Sequence, residues 1–367
     1  MSNVRMRDRV QRCRKHERYS LVLSGLLLVW GTVPTGGGVQ KPKPAEAPLV
    51  ELRSDLVSFT VSVVGPRGEP VTRLTREDFI VYENGERQQI THFAPVDAPV
   101  DIVLLVDTSG SMRGELKKVQ RAAARFIERM RPQDRVAIVE FHREAILHVD
   151  FTRERQRAIS AVRNMKAGSA TAFYDALVVV ADELLRSASE RKAIIGLTDG
   201  VDSSSFYTFS DAAQRLERAS VTVFFIELDT ESFMIEGIRR GEFTLSPAQL
   251  ERYRQAYRPQ DPPFRYRTPL FFTEEELVRI TRGVYRLARQ ELRRLAERTG
   301  GHVFPVRDLA HLDDVYARIQ AELGTLYSLG YYPSRPERDG TWRAIRVEVT
   351  LAGARVRARS GYWAPSQ

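Results

Sequence analysis

Apolar residues in the central part of the chain fall into two alternating kinds of run. Ile102 to Val106 is continuously apolar, the pattern of a parallel strand covered on both faces. Leu116, Val119, Ala123, Phe126, Ile127 and Met130 then recur at helical spacing. Val136 to Phe141, Ala145 to Val149, Ala193 to Leu197, Val221 to Leu228 and His302 to Val306 read as further strands. Tyr174 to Leu185, Leu292 to Arg298 and Leu312 to Leu323 read as helices, the second stopping at Gly300. This alternation predicts an α/β domain over residues 98–325: a doubly wound, mostly parallel sheet with helices on both faces.

The flanks follow a period of two instead. Val57, Phe59, Val61 and Val63 alternate with Ser58, Thr60 and Ser62, as in a strand with one buried face. Phe79 to Tyr82 and Gln88 to Phe93 flank Asn84-Gly85, a hairpin signal because both residues tolerate positive φ. Near the other end, Ile345, Val347, Val349 and Leu351 alternate with polar residues, and Gly353 turns the chain into Val356 and Ala358. Neither flank has enough strands to hide an apolar face alone. Residues 51–97 and 326–363 are therefore expected to pair as a second, smaller β-sandwich-like module. Arg355, Arg357 and Arg359 share one face of the last strand and are expected to be solvated.

Composition changes this picture mainly at the start of the chain. Of the net charge of +9 over 367 residues, +5 lies in residues 1–20, so the basic balance does not describe the folded part. Leu21 to Val33 is apolar apart from Ser24, Gly25, Gly31 and Thr32, and too short for the roughly 20 residues of a spanning helix. A basic head before a short apolar run reads as a secretory signal over residues 1–37, or a membrane anchor if uncleaved, with a linker at 38–50. The expected location is then periplasmic, secreted or cell-surface. The single cysteine, Cys13, excludes an intrachain disulfide.

Candidate chemistry gathers where two apolar strands end. The first runs into Asp107-Thr108-Ser109-Gly110-Ser111 and another into Thr198-Asp199-Gly200, with Gly168-Ser169-Ala170-Thr171 between them. In open α/β sheets, binding residues lie beyond the carboxyl ends of strands. Carboxylates and hydroxyls are hard ligands suited to Mg²⁺, Mn²⁺ or Ca²⁺. Any one of these residues could instead cap a helix; it is their convergence that points to a metal.

Asp107-x-Ser109-x-Ser111, then Thr171, then Asp199 in a Thr-Asp-Gly turn resembles the metal-ion-dependent adhesion site of von Willebrand factor type A domains. The strand–helix order extends that resemblance over roughly residues 98–325. With the leader, the small β segment and the tail from Gly330-Tyr331-Tyr332 to Gly361-Tyr362, the chain resembles the secreted, acidobacterial-type subfamily. The resemblance implies a Rossmann-like sheet and one divalent cation, Mg²⁺ first, with Mn²⁺ or Ca²⁺ as alternatives. It implies that Ser109, Ser111 and Thr171 contact the metal by hydroxyl, with Asp107 and Asp199 direct or through water. Neutral hydroxyls donate little charge, so such a metal keeps an open position for an Asp or Glu carboxylate of a protein partner. Arg113 reads either as an added attraction for that anion or as an ordinary loop charge.

From Thr230 to about Phe272 the regular alternation lapses, and the segment carries Phe233, Phe243, Tyr253, Tyr257, Phe264, Tyr266, Phe271 and Phe272 among arginines. Ser246-Pro247 reads as an N-cap and first helical residue, and Thr273-x-x-Glu276 as a capping box. This 230–272 insertion follows a strand, so it should emerge on the face of the metal site, either bordering it or packing on itself. His142 and His148 read as strand residues. No catalytic motif stands out: no nucleophile elbow or phosphate loop is present. The leading expectation is a non-enzymatic, metal-dependent adhesion or interaction module, without nucleic acid, membrane-attached only through an uncleaved leader. A metal-assisted hydrolase and a scaffold with a stabilising metal are the alternatives.

Overall fold

The computed structural model describes residues 4–5, 56–67, 69–189, 191–263 and 272–365. Most of the expected leader, the linker at 38–50, and Phe264, Tyr266 and Phe271 lie outside these residues. Among the described residues no helix is long and apolar enough to cross a membrane.

The central sheet is built from β5 (Asp101–Asp107), β6 (Arg135–Phe141), β7 (Ala145–Thr152), β8 (Lys192–Thr198), β9 (Thr222–Leu228) and β10 (Val303–Val306). Its order is β7-β6-β5-β8-β9-β10, with Val4–Arg5 beside β7. All neighbours are parallel except β7, which runs antiparallel to β6. Every residue of β5 and β9 is buried because helices cover both faces. Helices α1 (Leu116–Arg129), α2 (Arg155–Arg163) and α8 (Leu312–Leu323) enclose one core. Helices α3 (Phe173–Val179) and α4 (Phe209–Arg218) enclose the other, with the end of α7 (Glu274–Arg298). The expected helix at Tyr174 to Leu185 changes character midway, since Val180–Leu184 forms a wider π-helical turn.

The two flanks form a pair of four-stranded antiparallel sheets, as their periodicity predicts. One has the order β13-β1-β11-β4, from β1 (Val57–Val64), β4 (Ile90–Ala94), β11 (Leu326–Tyr331) and β13 (Arg355–Ala358). The other has the order β14-β12-β2-β3, from β2 (Phe79–Glu83), β3 (Glu86–Gln88), β12 (Trp342–Val349) and β14 (Gly361–Trp363). Val57, Phe59, Val61 and Val63 point into a shared core with Phe79, Val81, Tyr327 and Leu329. Buried Glu83 links the sheets, accepting hydrogen bonds from Tyr331 at 2.6 Å and Tyr362 at 2.9 Å.

Two expectations for the flanks fail for one reason. Thr60 and Ser62 are buried rather than solvated, and so is Arg359, at 5% exposure. The outer face of β1 lies against the central domain, where Thr60 Oγ1 meets Thr222 Oγ1 at 2.5 Å. Arg359 donates to the Glu217 carbonyl at 3.1 Å and lies over the Phe59 and Tyr362 rings. Arg355 and Arg357 are exposed as expected. Buried Arg191, just before β8, donates to the carbonyls of Val96 and Leu323, both at 3.0 Å, and of Leu326 at 2.8 Å. One guanidinium thus clasps both connections to the sandwich.

The Glu83 link predicts an ordered pair of effects in urea unfolding. Tyr331→Phe removes one hydrogen bond and should cost about 1 kcal/mol. Glu83→Ala strands the buried Tyr331 hydroxyl and the half-buried Tyr362 hydroxyl and should cost roughly 2–4 kcal/mol. Equal small effects from both would refute the link.

Candidate metal centre

Strand β5 starts the central sheet and is flanked by β6 on one side and β8 on the other. The chain therefore reverses its winding beside β5, and the crevice at the carboxyl ends of β5 and β8 is the topological switch point. Asp107 is the last residue of β5, and Asp199 follows the last residue of β8. Both are buried, at 0% and 3% exposure.

Each carboxylate is held by its own turn. Asp107 Oδ1 accepts from the Ser109 amide at 2.8 Å, and Oδ2 from the Thr198 hydroxyl at 2.7 Å. Asp199 Oδ1 accepts from the Val201 amide at 2.9 Å, with Gly200 at φ +73° letting the chain turn back so tightly. Asp199 Oδ2 accepts from Ser111 at 2.9 Å and Thr230 at 2.6 Å. Ser109 Oγ and Ser111 Oγ stand 3.1 Å apart. Four of the five expected residues thus form one hydrogen-bonded constellation.

Thr171 joins it through the backbone. Its amide donates to Ser203 Oγ at 2.8 Å, and its carbonyl accepts from the amides of Ser203 and Ser204. The Gly168 amide donates to the Thr108 carbonyl at 2.7 Å, and the Gly110 amide to the Ser169 carbonyl at 3.2 Å. Three loops are therefore interlocked, and Ser111, Thr171 and Asp199 line the same cleft of about 380 Å³. Behind it, Thr108 donates to Glu140 at 2.8 Å, and His148 lies 2.5 Å from the other Glu140 oxygen. His148 is thus a strand residue, as expected, with a supporting contact to the loop.

Burial works against charge on both carboxylates. Burial pushes the Asp107 carboxyl up to about 7, with the nearby Asp199 charge adding to the rise. Burial also raises Asp199, against the bonds from Thr230, Val201 and Ser111. Among the described residues no three His, Cys, Asp or Glu side chains form a metal-holding group, so any cation here must draw on hydroxyls as well. Two carboxylates with Ser109, Ser111 and Thr171 make a hard, oxygen-only donor set, which fits Mg²⁺.

Sequence patterns missed part of this surrounding. Thr230 lies two residues past the end of β9, so the strand-end rule could have found it. Tyr285, whose hydroxyl lies 2.9 Å from Thr230 Oγ1, sits in the middle of α7 and gives no local signal. Asp202 and Ser203, a few residues past Asp199, also have defined roles. Asp202 accepts from the Phe173 amide at 3.0 Å, at the start of α3, and Ser203 holds Thr171.

The described part of the insertion is largely helical and borders the cleft. It forms α5 (Glu231–Arg239) and α6 (Pro247–Tyr257); Ser246 caps α6, and Thr273 opens α7 with a capping box, both as predicted. Val201, Leu245, Leu250, Ile280 and Val284 give it a small core of its own. Arg252 of α6 donates to Tyr174 at 2.6 Å, pairs with Glu291 of α7 and lies 3.7 Å from Asp202. The insertion is therefore fixed to the elements around the site.

Residues 101–235 match the family model described as the von Willebrand factor type A domain. The match ends inside α5, where the insertion begins. A protein of Synechocystis sp. is 31% identical over 106 residues, 28% of this chain and 25% of that protein, so the chain spans about a quarter of the curated relative it matches. A von Willebrand factor type A protein from Catenulispora acidiphila has TM-score 0.43 at 14% identity, over 86% of this chain and 74% of that one. BatB from Bacteroides thetaiotaomicron has TM-score 0.39 at 18% identity, over 61% and 98%. Proximal thread matrix protein 1 from the mussel byssus, in a structure described with a zinc-occupied MIDAS motif, has TM-score 0.40 at 14% identity, over 64% and 47%. Residues 101–235 thus match the von Willebrand factor type A domain, and five of the six central strands, β5 to β9, lie within that match.

Proposed function

We propose that this chain is an extracytoplasmic, non-enzymatic protein-binding module that uses one divalent cation, Mg²⁺ first, to hold an Asp or Glu carboxylate of a protein partner. One observation carries the reading: Asp107 and Asp199 are buried side by side at the switch point, beneath a cleft lined by Ser111 and Thr171. Two buried carboxylates repel each other, and a divalent cation relieves that repulsion more directly than any hydrogen bond. Ser109, Ser111 and Thr171 would supply neutral oxygens, which leave the ion attractive to an outside anion. Arg113, which lines the same cleft, adds to that attraction. The extracytoplasmic part rests on the basic head and the apolar run from Leu21 to Val33.

Calorimetric titration with Mg²⁺ or Mn²⁺ should show one site per chain. Asp107→Ala should weaken it by about 100-fold or more, since even supporting residues of metal sites cost 10–100-fold. Undiminished binding by that variant would refute the site.

A pH series tests the electrostatics. The Asp107 carboxyl is raised from 3.8 to about 7 on folding, so the folded chain holds more protons than the unfolded chain between those values. Stability contributed by this group is present at low pH and is lost as pH rises towards about 7. In EDTA, Asp107→Asn should therefore gain in Tm over wild type as pH rises from about 5 to 8. Saturating Mg²⁺ should close that gap by stabilising wild type alone; a gap independent of pH would contradict the assignment.

A further inference from the structure

We propose that the insertion adds an apolar subsite to the cleft, selecting partners whose acidic residue is flanked by an aliphatic or aromatic side chain. The proposal deepens the metal-dependent reading above and rests on it. Phe233, Met234 and Phe243 line the same cleft as Ser111, Thr171 and Asp199. Phe233 stays 46% exposed, its ring 5.2 Å from that of Phe243. A single exposed phenylalanine is ordinary. Here two rings share one wall of a concave site whose other wall is polar.

The local chain is shaped to present those rings. After α5, the amides of Glu242 and Phe243 both donate to the Gly237 carbonyl, at 2.8 and 3.2 Å, and fold Phe243 back onto the helix. A Cβ at Gly237 would fall 1.9 Å from the Phe243 ring, so only glycine admits this approach. Ser246 and Gln249 also line the cleft, but they bond each other in the cap of α6, so they do not compete for a ligand. The charged side chains on the lining are Arg113, Asp199 and Glu242; Glu242 lies 4.0 Å from Arg240.

A cleft of about 380 Å³ lies at the small end of the roughly 300–1,000 Å³ range of binding pockets. It suits a short peptide segment rather than a broad flat surface. A carboxylate at the metal end leaves the neighbouring side chain beside Phe233 and Phe243. An apolar neighbour gains by leaving water beside the two rings, whereas a serine has little apolar surface to bury there.

The test uses full-length protein with two blocked pentapeptides, acetyl-Gly-Leu-Asp-Leu-Gly-amide and acetyl-Gly-Ser-Asp-Ser-Gly-amide, titrated by NMR in Mg²⁺ and in EDTA. The leucine peptide should bind about tenfold more tightly in Mg²⁺. Phe233→Ala should erase that preference while the Mg²⁺ titration stays unchanged, and Gly237→Ala, which displaces Phe243, should weaken it. Equal affinities in wild type, binding of neither peptide, or a preference that survives Phe233→Ala overturns the subsite. A preference that persists in EDTA supports the subsite and overturns the metal-dependent reading. Metal-dependent binding with no preference does the reverse.

Discussion

Two carboxylates buried together at the ends of neighbouring parallel strands are the constraint around which this end of the molecule is arranged. Asp107 and Asp199 have no ion-pair partner among the described residues, and each is instead surrounded by amides and hydroxyls. Hydrogen bonds soften the cost of burying charge but do not remove it, which is why burial raises the Asp107 carboxyl. Such an arrangement needs precise support. The interlocked loops at Ser109, Ser169 and Ser203 provide it, and Glu140 with His148 supports the first loop from behind.

The insertion depends on the same constraint. Thr230, its first residue, donates to Asp199, and Tyr285 lies against Thr230 from α7. Helix α7 belongs to two cores: Leu292, Leu295 and Ala296 pack under the sheet, while Ile280, Val284 and Tyr285 pack under the insertion. One 25-residue helix therefore carries the insertion at a fixed position relative to the site. Arg252 reinforces this by joining α6 to Tyr174, Glu291 and Asp202. Burial would lower the pKa of an isolated guanidinium, yet its anionic neighbours raise that of Arg252 instead, so the charge is well matched.

Much of this was legible in local pattern. Continuous apolar runs located β5, β8 and β9 because a strand covered on both faces has no polar side to show. Asp107, Ser109, Ser111 and Asp199 could be picked out because strand ends are where an α/β sheet gathers ligands, whereas Thr171 follows no strand and was singled out through the family resemblance. Tyr285 was invisible, since its role arises only when the middle of α7 is laid beside β9. Thr60 and Arg359 were misread for a related reason. Alternation tells which side chains share a face, but a second domain covering the polar face leaves no mark on that period.

That covering also explains how the sandwich and the cleft coexist. Thr60 meets Thr222, the first residue of β9, and Arg359 reaches the Glu217 carbonyl just before β9. Arg191 clasps both connecting segments just before β8. All three contacts lie at the amino ends of the parallel strands, whereas Asp107 and Asp199 lie at the carboxyl ends. Parallel strands make this separation unavoidable, because every strand presents the same end to the same side. The sandwich therefore closes the amino ends of the strands and leaves their carboxyl ends to the insertion, whose Phe233 and Phe243 line the cleft.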